Sequence, residues 1–469
     1  MSFPIVDIHF HPTLKPFGHS HDPKENSSDA QSVACIWHSD PPSAIDELDE
    51  NVLGFPPYRE ADFTTLVNGK VNIGVISLYP IETGFVHPQL FKPESKELID
   101  LITLFGRERV AYLQSAEYNY FEDLNSENQF LSSLHNIIPK NGTSKYVLAS
   151  SGVQLASQTN ETLRIIVSIE GAHVFCNGHD VEDQTAWADV DKRIETVKNW
   201  KYPPFFITLC HHFYNGLASH AKSLFIKVLG TELLDQSRGL DQPVNGQKYI
   251  TDTGYKVIDY LYSTANGKRI LIDVKHMCKK TRLEFYAYRK GKYDSIPLIS
   301  SHGALVNFYN QNINLDIDDI NEIYNSNGLI GIELDQRVIG YNDQHKLNRF
   351  WNWLLNIFRS TDKKNLVWAE YFWKNVLAIA ERCYELDQNV DPWKIICLGT
   401  DFDGIINPLN GFRRSTDLQA LSSSLLEYVN DYWEKGNGKI PKNHLGMTAE
   451  DVVGNIMYKN AYDFIVKNY

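Results

Sequence analysis

Ile5-Val-Asp-Ile-His-Phe-His11 is a short β-branched, apolar run that stops on two imidazoles. Side chains alternate across a strand, so Asp7, His9 and His11 share one face of it. Seven later runs repeat the plan: Val71-Asn-Ile-Gly-Val-Ile-Ser-Leu-Tyr79, Leu163-Arg-Ile-Ile-Val-Ser-Ile-Glu170, Phe205-Phe-Ile-Thr-Leu-Cys-His211, Arg269-Ile-Leu-Ile-Asp-Val-Lys-His276, Pro297-Leu-Ile-Ser-Ser-His302, Leu329-Ile-Gly-Ile-Glu-Leu-Asp335 and Ile395-Ile-Cys-Leu-Gly-Thr-Asp401. Near-continuous Ile, Val and Leu mark strands buried on both faces, as in a parallel sheet. Helix-like stretches at 94–107, 183–201, 253–266 and 316–327 lie between them. Alternating strands and helices predict an α/β fold, and eight units predict a (β/α)8 TIM barrel, whose active residues sit at the C-terminal ends of the strands.

Three stretches exceed a simple barrel: 12–62, 108–160 and 340–390, expected as insertions or lids after strands one, two and seven of one barrel spanning 1–469. The first is polar and loop-like, the second is expected to hold a β-hairpin, and the third is helical and aromatic. The third carries Trp351, Trp353, Trp368 and Trp373, which are expected to pack on the barrel wall.

Composition narrows the function. The 469 residues are 43% hydrophobic and 22% charged, with a formal net charge of −13. That is an ordinary globular balance, and too acidic for a general binder of nucleic acid or of anionic membranes. No run of 18 apolar residues exists, and the opening Met-Ser-Phe-Pro-Ile-Val-Asp lacks a basic or apolar leader. The six cysteines are scattered without a Cys-x-x-Cys pair. A cytoplasmic protein with a small-molecule substrate is expected, and barrels of this kind can pair as homodimers.

Histidine, at 16, is the outlying count. His9 and His11 at one strand end can grip a single metal ion. Most His-x-His pairs bind nothing, and a lone strand-end histidine is usually structural. Here, however, Glu170 ends strand three, His276 strand five, His302 strand six and Asp401 strand eight. Unpartnered imidazoles gathered at barrel mouths would leave polar nitrogens to satisfy. Alternation turns His276 inward and Lys275 outward. Asp403-Gly404 reads as a turn, whereas Asp401 suits a metal and a proton acceptor. His211 and His212, after strand four, suit substrate-facing roles.

Asp7-x-His9-x-His11 with these later strand ends is similar to the amidohydrolase superfamily. More narrowly, Ser168-Ile-Glu-Gly-Ala-His173, Ile207-Thr-Leu-Cys-His211, Ile272-Asp-Val-Lys-His276, Ser301-His302, Gly399-Thr-Asp-Phe-Asp-Gly404 and Val453-Gly-Asn-Ile-Met-Tyr-Lys-Asn-Ala resemble the membrane dipeptidase family. The resemblance implies two divalent ions, zinc first. It implies that Glu170 bridges them, His9 and His11 hold one with Asp401 near it, and His276 and His302 hold the other. His211 would face the substrate and steady the tetrahedral intermediate. The reaction implied is hydrolysis of a dipeptide-like amide, with Asp401 as the proton shuttle. The same chemistry would also open a cyclic amide or a lactone, or deaminate a ring, and a catalytically silent ligand-binding barrel is a third reading. The family has His-x-Asp on its first strand where this chain has His9-x-His11, and an Arg-Asn pair after strand six where this chain reads Phe308-Tyr-Asn-Gln-Asn-Ile313. Arg337, Arg413 and Arg414 are the cations that could replace that arginine against a substrate carboxylate, although any single one of them is more simply a surface charge.

Overall fold

Eight parallel strands close into a ring. They are Ile5–Phe10, Val71–Leu78, Leu163–Ile169, Phe206–Thr208, Leu271–Asp273, Ile299–Gly303, Leu329–Ile332 and Ile396–Leu398. Each pairs with its neighbours in sequence, the second with the third from Ile73↔Arg164 to Leu78↔Ile169, and the eighth returns to the first at Asp7↔Leu398. The computed structural model describes residues 2–20, 27–43, 56–87, 100, 103–158, 162–176, 187–223, 227–228, 231–232, 234–340 and 361–469.

All eight expected strands are present, and their inward and outward apolar residues form one core with the surrounding helices. Helix Asp252–Tyr262 shows how the sequence builds that layer. Thr251 caps it by accepting from Gly254 N, and Gly254, Val257, Ile258 and Leu261 form its buried stripe at helical spacing. Helix Ile317–Asn325 starts with a capping box made by Asp316 and Asp319. Glycine is required where strands six, seven and eight crowd together. A Cβ on Gly331 or on Gly399 would lie 2.0 Å from the Ser301 carbonyl oxygen.

Buried carboxylates stitch the ring beneath its mouth. Asp7 accepts from Thr400 N at 3.0 Å and from the Thr400 hydroxyl at 2.6 Å, joining strands one and eight. Asp273 accepts from Ser301 N at 3.1 Å, joining strands five and six.

The extra segments differ in part from expectation. The hairpin expected within 108–160 is not found among the described residues. Instead helix Tyr120–Ser133 leads to a short strand, Tyr146–Leu148, which pairs in parallel with the start of strand three at Tyr146↔Leu163. That edge is open because strand four reaches strand three only at Ile169. The loop-like 12–62 contains a helix, Leu14–His19. From 340–390, helix Thr361–Leu386 is described, and its Trp373 packs on Trp393 and Tyr428 as expected. Trp351 and Trp353, and most of 94–107, lie outside the described residues. All six cysteines are free thiols. Among the described residues no helix is long and apolar enough to cross a membrane.

Candidate metal centre and active site

The strand ends meet around Glu170. One of its carboxylate oxygens, Oε1, is 3.1 Å from His276 Nε2, 3.5 Å from both His9 Nε2 and His211 Nε2, and 3.6 Å from His302 Nε2. The other, Oε2, is 2.9 Å from His11 Nε2. Asp401 faces the same group, with Oδ1 3.4 Å from His11 Nε2 and 3.6 Å from His9 Nε2, and Oδ2 3.9 Å from His302 Nε2. All six expected ligands therefore share one pocket. Ligand atoms of His9, His11, Glu170 and Asp401, and those of Glu170, His276 and His302, lie within 4.8 Å of one another.

The local backbone explains the aim. His9 and His11 follow strand alternation, and their Nε2 atoms approach to 3.2 Å. Asp401 and His276 both take left-handed backbone, with φ of 62° and 65°. Such conformations are uncommon outside glycine and persist where the surroundings over-determine them.

The site fits divalent ions. The Nε2 atoms of His9, His11, His276 and His302 all face the Glu170 carboxylate, and two ring nitrogens at 3.2 Å are favoured by a cation between them. Burial holds His302 and His212 well below the usual imidazole range, helped by the charge of neighbouring histidines, and takes His276 down to about 3. These are neutral imidazoles, the form that binds a cation. Burial opposes charge on Glu170, but His211, His9 and His11 outweigh it and keep the carboxyl ionised. Burial likewise opposes charge on His11, yet Glu170 and Asp401 push it up to about 10.

Lys275 departs from expectation. It does not point outward; it is buried, lines the cleft and donates to Glu333 Oε2 at 2.7 Å. The strand ends at Asp273, whose side chain accepts from Lys275 N, and the left-handed turn at His276 ends the alternation. The loss of strand periodicity therefore brings both residues to the cleft.

The three arginines separate. Arg337 lines the cleft, where its Nη2 donates to Asp335 Oδ2 at 2.6 Å and to Ile405 O at 2.8 Å. Arg414 is committed elsewhere, donating to Arg59 O at 2.9 Å, Thr65 Oγ1 at 2.7 Å and Asp62 Oδ2 at 3.1 Å. Arg413 bonds Asn410 Oδ1 at 2.8 Å. Neither is among the residues lining the cleft, and of the polar segment after His302 it is Ile313 that lines it. Asp403 does more than turn the chain. It accepts from Lys15 Nζ at 2.9 Å and from Glu60 N and Ala61 N at 3.1 and 2.9 Å.

Glu82 joins the site from beyond the strand ends, where the sequence reading did not place a site residue. Its Oε2 is 2.7 Å from His211 Nδ1 and accepts from the Tyr79 hydroxyl at 3.0 Å, while Oε1 accepts from Phe213 N at 3.0 Å. Burial works against its charge, but the His211 imidazole outweighs this and takes the carboxyl to about 2. The available signal was position, because Glu82 follows the end of strand two. His212 lies beside this pair, its Nδ1 on the Ser223 hydroxyl.

Fold and site together define a (β/α)8 barrel with a metal-type centre at its C-terminal mouth. The family model described as membrane dipeptidase matches residues 236–436, which span strands five to eight and contain His276, His302 and Asp401. Over these residues the chain is similar to the membrane dipeptidases, in agreement with the likeness carried by the strand-end motifs. A dipeptidase described as a metallo peptidase of the same family has a similar structure, at 12% identity, with a TM-score of 0.53 and coverage of 100% of this chain and 99% of its own. A metallo peptidase from Rhodobacter sphaeroides, liganded with a phosphinate mimic of the dipeptide L-Ala-D-Ala, is 11% identical with a TM-score of 0.53 and 100% coverage of both chains. At such identities these two show the common fold. No curated protein matches the sequence.

Proposed function

We propose that the protein is a metal-dependent dipeptidase that uses two zinc ions to hydrolyse the amide bond of a dipeptide or a dipeptide-like small molecule. The observation that carries this is the convergence of His9, His11, His276, His302 and Asp401 on the single carboxylate of Glu170. His9, His11 and Asp401 would hold one ion, His276 and His302 the other, and Glu170 would bridge the two; an imidazole-rich set of this kind suits zinc. When bound, such a pair lowers the pKa of a water molecule toward neutrality and polarises the scissile carbonyl.

The chain's own groups supply the rest. Asp401 takes the proton of the attacking water and returns it to the leaving nitrogen. His211, held through Nδ1 by Glu82, presents Nε2 to the developing oxyanion. Arg337 is the cleft guanidinium available to a substrate carboxylate, and its pairing with Asp335 makes it a weaker anchor than an unpaired arginine. Simple dipeptides are therefore expected to bind weakly. Metal analysis of the purified protein with a dipeptide panel tests the proposal. The expected result is two ions per chain and hydrolysis lost on chelation and restored by zinc. A metal-loaded protein inert to every dipeptide-like amide would overturn it.

A further inference from the structure

His212 stands apart from the ligands assigned above, yet it is built like one. Its Nδ1 is held by the Ser223 hydroxyl, and its carbonyl accepts from Gln236 Nε2 at 3.0 Å. Next to it, His211 is held through Nδ1 by Glu82 at 2.7 Å. An imidazole anchored through one nitrogen by a carboxylate or a hydroxyl is oriented to offer the other to a metal. His276 completes the group. Its ring centroid lies 4.4 Å from that of His211 and 5.2 Å from that of His212, and all three residues are buried. One ring nitrogen from each falls within a common 4.8 Å. Three imidazoles at such spacing are a ligand set for zinc, with a fourth position left open.

We propose that His211, His212 and His276 form an alternative seat for the divalent ion that His276 holds. A neutral imidazole has one unprotonated nitrogen, so His276 serves one ion at a time and the two seats exclude each other. Glu170 Oε1 borders both, at 3.5 Å from His211 Nε2, 3.1 Å from His276 Nε2 and 3.6 Å from His302 Nε2. An ion moving between them keeps His276 and stays beside the same carboxylate oxygen. In the alternative seat it occupies the electron pair of His211 and removes that imidazole from the substrate. The seat therefore defines a metal-loaded but inactive arrangement, favoured when the His302 side is disabled.

The inference rests on reading His276 as a metal ligand, but metal counts decide it without any hydrolysis being measured. Wild type, His302→Ala, His212→Ala and the double variant are loaded with Zn2+, gel-filtered and analysed for bound metal. The expected result is two ions in wild type, in His212→Ala and in His302→Ala, and one in the double variant. His302→Ala retaining one ion, or the double variant retaining two, refutes the seat while leaving the dipeptidase reading intact. Wild type retaining none overturns both. Cooperative melting of each variant serves as the fold control, and His302→Gln, with and without His212→Ala, gives the same counts if the alanine at 302 does not fold. Ser223→Ala in the His302→Ala background is expected to weaken retention of the second ion about tenfold, because the His212 ring loses its anchor.

Discussion

Glu127→Gln is expected to stabilise the protein at alkaline pH and to do little near pH 5. Glu127 lies on helix Tyr120–Ser133 and is buried between the segments that follow strands one and two. It pairs with the Thr13 hydroxyl at 2.5 Å and accepts from Tyr79 N at 2.8 Å. Burial raises its pKa from 4.5 to about 7, and the nearby Asp123 carboxylate adds to the rise. A carboxyl with a raised folded-state pKa has no effect on stability below its unfolded value; a penalty grows as pH climbs from about 4.5 to 7 and stays constant above. With 1.36 kcal/mol per pKa unit, the penalty is about 3 kcal/mol at pH 8 and about 1 kcal/mol at pH 5. Glutamine reproduces the neutral acid, since its amide can donate to Thr13 Oγ1 while its carbonyl accepts from Tyr79 N. The variant should therefore gain about 2 kcal/mol on wild type between pH 5 and pH 8, a relative rise in melting midpoint of roughly 2 °C for a chain of this size. Thermal melts of both proteins at the two pH values, with equal metal loading, measure it. A gap between the proteins that is the same at both pH values, or narrower at pH 8, would rule out a buried, ionised Glu127 as the source of the penalty.

Four further outcomes follow from the site. Glu170→Gln should lower zinc occupancy at both positions, read by metal analysis, because the shared carboxylate borders both ligand groups. Asp401→Asn should retain most of the metal but lose about 10²- to 10⁴-fold in kcat, the usual worth of a proton-transfer group; an unchanged kcat would exclude it as the shuttle. Glu82→Gln should lower kcat about 10²-fold with little change in metal content, since it removes the charge that orients His211. Arg337→Ala should raise KM for substrates with a free terminal carboxylate and spare those with a blocked one. Efficient cleavage of both classes without any KM change would remove Arg337 from recognition.

How much was legible in the sequence follows from the range of each signal. Strand and helix periods are local, so the eight runs predict the eight barrel strands, and their last residues predict the convergence of His9, His11, Glu170, His276, His302 and Asp401. Alternation fails where a strand stops early. Lys275 was expected outside, but strand five ends at Asp273 and the left-handed turn at His276 returns both residues to the cleft. Glu82 is not marked by a strand end because it follows strand two by four residues, and only the neighbouring His211, 129 positions on, shows what it does. The hairpin expected in 108–160 was misplaced for a related reason. A β-rich run specifies a strand but not its partner, and the free partner was the exposed start of strand three.

The repeated strand–helix unit, the buried character of the strands and the metal-type residues at their ends follow from local sequence, because each of these is a property of a few neighbouring side chains. Tertiary structure alone decided which arginine faces the cleft. Arg337, Arg413 and Arg414 are alike as sequence, and they are separated by partners brought from elsewhere, Ile405 for Arg337 and the segment holding Arg59, Asp62 and Thr65 for Arg414. It also decided that His211 and His212 share a cluster with His276, since ring orientation is set by Glu82 and Ser223. The physical reason is that a charged or hydrogen-bonding side chain is placed by whichever complementary group closes over it, and closure of the ring brings together residues hundreds of positions apart.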